Sequence, residues 1–169
     1  KLNVVTPPIE KEKRVAVTDR IELPQLNMAW ITPQIFKTGD ADMDIASQIL
    51  AGGKSSRLYK RLVYEKQIAQ SVSATQQSLM LGSVFTISAT ARPGHTVEEM
   101  EKAIDEELQK LRNDGPEQKE VDRARNLIET GTVQGLEKVG GFGGIANRLN
   151  TYNHFVGDPG YLANDIGRY

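Results

Sequence analysis

The order of elements predicts an α+β fold: two short strands, two helices, an antiparallel hairpin and then a run of helices. Three observations carry this. Val84–Arg92 alternates strictly, with Phe85, Ile87, Ala89 and Ala91 on one face and Thr86, Ser88 and Thr90 on the other. Val97, Met100, Ile104, Leu108 and Leu111 instead recur at helical spacing behind a Thr96/Glu99 capping box. The Ser78–Gly82 turn region joins Ile68–Gln77 to Val84–Arg92, which makes a hairpin and argues against a doubly wound parallel sheet.

Taken in order, residues 1–13 carry Pro7-Pro8 and then alternating charges, and read as a linker into a domain spanning 14–169. Val15–Asp19 and Gln25–Thr32 are strand candidates. In the second, Leu26, Met28 and Trp30 share a face between Pro24 and Pro33, residues that sit badly inside a ladder. Asp40 is suited to cap a helix whose Ala41, Ile45 and Ile49 repeat every four residues. Gly52 and Gly53 end it, and Ser55 or Ser56 caps a second helix with Leu58 and Leu62 inward. After the hairpin and the capped helix, Gly115-Pro116 is a stop. A longer helix, from about residue 117 to 138, follows with Val121, Ala124 and Ile128 inward. Gly131 and Gly135 lie inside it, where glycine costs about 1 kcal/mol relative to alanine, and suggest close approach by another backbone. "GGFGG" (140–144) breaks that helix; Ile145, Ala146, Leu149 and Tyr152 resume helical spacing. Asp158-Pro159 reads as a cap with proline at the first helical position, and the chain ends inside that helix.

Composition narrows the function. The 169 residues are 38% apolar and 25% charged, with 21 Lys+Arg against 22 Asp+Glu, so no basic block argues for nucleic acid. No apolar run approaches the roughly 18–20 residues of a membrane span. There are no cysteines, which excludes disulfides and thiolate metal sites and is compatible with cytoplasm or periplasm, the bacterial periplasm being slightly favoured. The start at Lys1 and the interrupted last helix read as a piece of a longer protein.

"AGGKSS" (51–56) invites a phosphate-loop reading, but that motif needs G-x-x-x-x-G-K-[ST] after a strand. Gln48 stands where the first glycine belongs, and the preceding element is helical. The better reading is a corner between two helices, whose second helix start, with Lys54 and Arg57 nearby, can hold a carboxylate or a peptide carbonyl. His95 and His154 lie 59 positions apart and form no compact ligand pair, and Ser55 lacks a nucleophile-elbow context. Glu98-Glu99 and Glu106-Glu107 read as solvated helix faces. No self-sufficient catalytic constellation is present.

Three segments carry a family resemblance: "ILAGGKSSRLYKRLVYEKQIAQSVSA" (49–74), "RPGHTVEEMEKAIDEELQKLRNDGPEQKEVDRARN" (92–126) and "GGFGGIANRLNTYNHFVGDPGYLANDIGRY" (140–169). Together they resemble the insulinase (pitrilysin, inverzincin) family of zinc metallopeptidases, over roughly residues 14–169. Members pair a domain bearing H-x-x-E-H with a related domain that has lost it, around an enclosed chamber where peptides are cut. This sequence lacks the motif and so resembles the non-catalytic kind. The resemblance implies a mixed, largely antiparallel sheet backed by helices, with the chain stopping before the domain's last strand and helix. It also implies no metal or cofactor here, zinc in a partner catalytic domain on the same chain or a separate subunit, and a peptide substrate.

Many such domains present an arginine and a tyrosine to the partner's active site. In register those positions are Val63 and Gln70, which lack the charge and the phenol respectively. A substrate-wall role remains for Gly52, Gly53, Lys54, Ser55, Ser56 and Arg57. The polar face Thr86/Ser88/Thr90 either lines the chamber or faces solvent. The rival reading is a structural or assembly domain that uses the same fold without proteolysis.

Overall fold

The computed structural model describes residues 7–169. Its sheet has three strands, β1 (Gln25–Thr32), β2 (Ala69–Gln77) and β3 (Ser83–Ala91), in the order β1-β3-β2 and antiparallel throughout. The alternation read from the sequence sets the register. Met28 and Ala74 both lie opposite Ile87 and share its buried face, while Asn27 and Ser73 lie opposite Ser88 on the other.

The helices are α1 (Asp40–Ala51), α2 (Val97–Asp114), α3 (Gln118–Leu136), α4 (Ile145–Val156) and α5 (Leu162–Ile166). Between α1 and β2 runs a short π-helix, Tyr59–Glu65, where an ordinary helix was expected. The wider winding shows at its end, where the Lys66 N–H donates to the Arg61 carbonyl five residues back. The core fills the space between the inner sheet face and the helices. Leu50, Leu58, Leu62, Met100, Ala103 and Ile104 cover Phe85, Ile87 and Ala89. Each fully buried aliphatic side chain of this kind contributes about 1.5–3 kcal/mol. The α2 boundary is set by the expected box: Thr96 Oγ1 accepts from Glu99 N, and the Glu99 carboxylate accepts from Thr96 N at 3.1 Å.

Several expectations are corrected. Val15–Asp19 forms no strand: no neighbour offers it a ladder, and Val15 stays 85% exposed. The expected linker lies partly outside the described residues; from 7 to 24 the chain has no helix or strand, and Arg14 forks onto Glu101 of α2, one arm at 3.1 Å. Asp40 does not cap its own helix, because Gly39 occupies the cap position and the carboxylate is used elsewhere. Asp158 closes a turn by accepting from Gly160 N at 2.8 Å, and the helix starts only at Leu162. Of the two helical glycines, Gly135 has the expected close approach, since a Cβ there would lie 2.8 Å from the Gly143 carbonyl. Gly131 has open space around it.

The displaced role of Asp40 organises the C-terminal part. Only 1% exposed, its carboxylate accepts from Phe36 N (3.0 Å), Ser78 Oγ (2.6 Å), Gln76 Nε2 (3.3 Å) and Arg168 Nη1 (3.1 Å). Arg168 also donates to Asp165, which accepts from the buried Tyr152 hydroxyl at 2.6 Å. Phe36, held at φ 60°, sets its ring against Tyr152 and Tyr161 and under the Arg168 guanidinium, 4.8 Å from the ring centre. This polar and aromatic clasp ties the strap Tyr161–Tyr169 to α1 and β2.

Candidate functional site

The glycine corner follows α1. Gly52 is there for space: at φ −76° it is not left-handed, but a Cβ would fall 2.4 Å from the Gln48 carbonyl. Gly53 is there for conformation, with φ +92° and nothing near its missing Cβ. The preceding element is a helix, as the sequence predicts, so the geometry of a phosphate loop is absent.

The six residues expected to meet substrate divide into two groups. Lys54 and Ser55, with Gly53, are exposed, and Gly52 is half-buried. Ser56 and Arg57 turn inward. Ser56 is fully buried and caps no helix; its hydroxyl donates to the Gly53 carbonyl at 2.6 Å and closes the turn. Arg57 forks onto Glu120 of α3, Nε to Oε1 at 2.9 Å and Nη2 to Oε2 at 2.6 Å, and also reaches the Gly115 carbonyl. That guanidinium holds the Glu120 carboxyl below the usual carboxylate range, with the Glu117 backbone N–H helping. Ser55 is itself gripped from α3, where Arg123 Nη1 donates to its hydroxyl (2.6 Å) and its carbonyl (3.1 Å). The corner is thus fixed from behind by α3, and its outward part is Gly53-Lys54-Ser55.

The two degenerate positions also part company. Val63 packs into the core at 8% exposure. Gln70 is exposed and sits at a bulge: Ala69 pairs with Ala91 and Ser71 with Thr90, leaving Gln70 as the extra residue. Arg92, which the sequence reading passed over, stitches these positions together. It donates from Nη2 to the Val63 carbonyl (3.4 Å) and from Nε to the Ala69 carbonyl (3.2 Å). Its place as the charged last residue of the strand candidate Val84–Arg92 was the available signal; its partners are backbone atoms 29 and 23 positions away, which no local pattern reveals.

The outer sheet face is uncovered by helices. Thr86, Ser88 and Thr90 lie half-buried between the exposed Ser71, Ser73, Thr75 of β2 and Asn27 of β1, and Ser88 donates to Asn27 Oδ1 at 2.7 Å. Among the described residues no group of three or more His, Asp or Glu is placed to hold a metal ion. His95 pairs with Glu99 at 3.0 Å, and His154 stands edge-on to Phe155. No helix among the described residues is long and apolar enough to cross a membrane.

Known proteins bear on this arrangement. The family model described as Peptidase M16 inactive domain matches residues 2–128. The zinc protease PqqE of Helicobacter pylori (strain ATCC 700392 / 26695) is 26% identical over 140 residues, covering 82% of this chain and 32% of that protein. The chain thus spans about a third of that relative's length. Among solved structures, a protease from Helicobacter pylori superposes with a TM-score of 0.77 at 24% identity, over 89% of this chain and 36% of its own. An inactive peptidase domain from Bordetella parapertussis gives 0.74 at 21% identity, over 91% and 81%. These likenesses establish the fold, an α+β domain with an antiparallel sheet and helices, as expected from the sequence.

Proposed function

This chain belongs to the Peptidase M16 inactive domain family, and on that premise we propose that it holds peptide for a zinc-bearing catalytic domain without taking part in bond cleavage. The expected resemblance to the zinc metallopeptidase family is met, and the match is to that family's inactive domain. In the proposed arrangement it forms one wall of an enclosed peptide chamber. The opposite wall, on the same chain or a separate subunit, carries H-x-x-E-H and the zinc.

The single observation that carries the reading is the split of the glycine corner. Ser56, Arg57 and Arg123 are spent on fixing the turn, and what they fix outward is a cation, a hydroxyl and glycine backbone. The N–H and carbonyl of Gly53 are engaged by Ala51 and Ser56, but with no side chain and open space where a Cβ would stand, an extended peptide can pass close to the turn. Lys54 offers a positive charge to a carbonyl or an acidic side chain. The burial of Val63 supports the non-catalytic half of the reading, since that position delivers no donor toward a reacting carbonyl. The hydroxyl-lined outer face of the sheet is a second surface for an extended substrate.

The test is a pair of measurements. The pure chain, given zinc and an unfolded peptide, is expected to cleave nothing; chelator-sensitive proteolysis by the chain alone would sink the reading. With the zinc-bearing partner present, Lys54→Ala is expected to raise KM about three- to tenfold with kcat unchanged, the signature of lost uniform binding. A fall in kcat at constant KM would instead place Lys54 in the chemistry.

A further inference from the structure

The strap that closes the fold sits on an unequal balance of charge. Three carboxylates, Asp40, Asp44 and Asp165, surround one central cation, Arg168, while Arg148 reaches Asp165 at 3.7 Å from the side. The bonds of Arg168 run elsewhere: Nη1 goes to Asp40, and Nε and Nη2 go to Asp165. None reaches Asp44. Asp44 instead meets the Tyr169 hydroxyl, which donates to its Oδ2 at 2.9 Å.

We infer that Asp44 is a proton-operated catch for the C-terminal strap: with a proton on Asp44 the strap is fastened to α1, and without it the strap opens more readily. The geometry dictates the direction. An ionised Asp44 adds a third negative charge to a site whose cation is already committed, whereas the neutral acid leaves the Asp40–Arg168–Asp165 arrangement undisturbed and can still accept from Tyr169. The groups that face it come from four elements and pull in both directions. From α1 the facing group is Asp40; from the strap they are Asp165, Arg168 and Tyr169. β2 brings Gln76, with no charged residue along its length, and α3 brings Arg125 and Glu129 to the small hollow shared with Asp165 and Tyr169. Burial, first, and the like charges of Asp40 and Asp165 push Asp44 up to about 6, against the opposite pull of Tyr169 and Arg168.

A folded value raised above the ordinary 3.8 means that the closed strap binds the proton more tightly than the open one. The extra closure is fully present below about pH 3.8 and is lost as pH rises through about 6. Glu106 (through Arg61) and Glu120 (through Arg57) are held low, so their losses come at more acid pH. Between about pH 5 and 7.5 the catch is therefore read with little interference. From the two values, linkage gives about a tenfold rise in strap opening over that interval.

The experiment is hydrogen exchange of the strap amides (162–169) in the 169-residue chain at the two pH values, corrected for intrinsic exchange. The wild type is expected to open about tenfold more at the higher pH. Asp44→Asn is expected to open equally at both. Tyr169→Phe, which removes the hydroxyl that favours the ionised form, is expected to keep or steepen the dependence. Equal strap opening of the wild type at both pH values overturns the catch, as does an undiminished pH dependence in Asp44→Asn. Should Asp44→Asn fail to fold, a carboxyl-carbon NMR titration of the wild type decides: a midpoint near 6 supports the catch, and one in the ordinary aspartate range overturns it.

Discussion

The sheet with α1, the π-helix and α2 is held together differently from the stretch running from α3 to the strap. In the first region a contiguous cluster of buried apolar side chains joins sheet and helices. α2 alone buries Met100, Ala103 and Ile104, and β3 buries every second residue. In the second region α3 fully buries only Ala124 and α4 only Tyr152. Leu127, Val133, Val139, Ile145 and Leu149 remain exposed there, and Phe142 on the glycine loop is bare. The second region is attached by directed contacts: Arg57–Glu120, Arg123–Ser55, and the Asp40–Arg168–Asp165–Tyr152 clasp. One region coheres through area, the other through a handful of polar anchors, and the two should fail in different ways.

The strongest way to break the contrast is Ile104→Ala. The side chain is fully buried in the first region, and its loss is expected to cost about 3–4 kcal/mol and lower the midpoint of global unfolding in urea. Next is Asp40→Ala, which takes the carboxylate away from Arg168 Nη1, Ser78 and the Phe36 N–H while leaving Arg168 only Asp165, and is expected to cost about 3 kcal/mol. Its distinguishing mark is where the loss appears. Exchange in the strap should rise first while the β3 amides stay protected; simultaneous loss in both would show that the regions form one cooperative unit. Gly53→Ala is smaller, about 1–2 kcal/mol of backbone strain at φ +92°, measured by the same unfolding midpoint. Smallest is Leu149→Ser, expected to lie within about 0.5 kcal/mol in thermal unfolding, because the residue is already 43% exposed. A cost near that of Ile104→Ala would mean that α4 has an apolar partner in solution.

The same division explains what the sequence made legible. The hairpin, the capping box and the helix stripes are local patterns, and each element they define is present within a residue or two. The glycine corner was also legible as a corner, since two glycines after a helical repeat leave few alternatives. What escaped notice depends on distant partners. Asp40 looks like a cap from its neighbours, yet its carboxylate is engaged by residues 36, 38 and 128 positions away. Arg57 looks like a free cation beside a helix start, and only the packing of α3 shows Glu120 waiting for it. Val15–Asp19 failed for the complementary reason: alternation makes a strand only where a neighbour offers a ladder.

The contact between Asp40 and Arg168 also sets a schedule. It closes a loop of 128 residues, so it is among the last native contacts a folding chain can gain. At ordinary rates of synthesis the aspartate leaves the ribosome on the order of ten seconds before its arginine exists. Through that interval Ser78, Gln76 and the Phe36 N–H can shield its carboxylate, while its opposite charge is still missing. Changes at Arg168 should therefore speed the loss of the finished structure while leaving the speed of its formation unaltered.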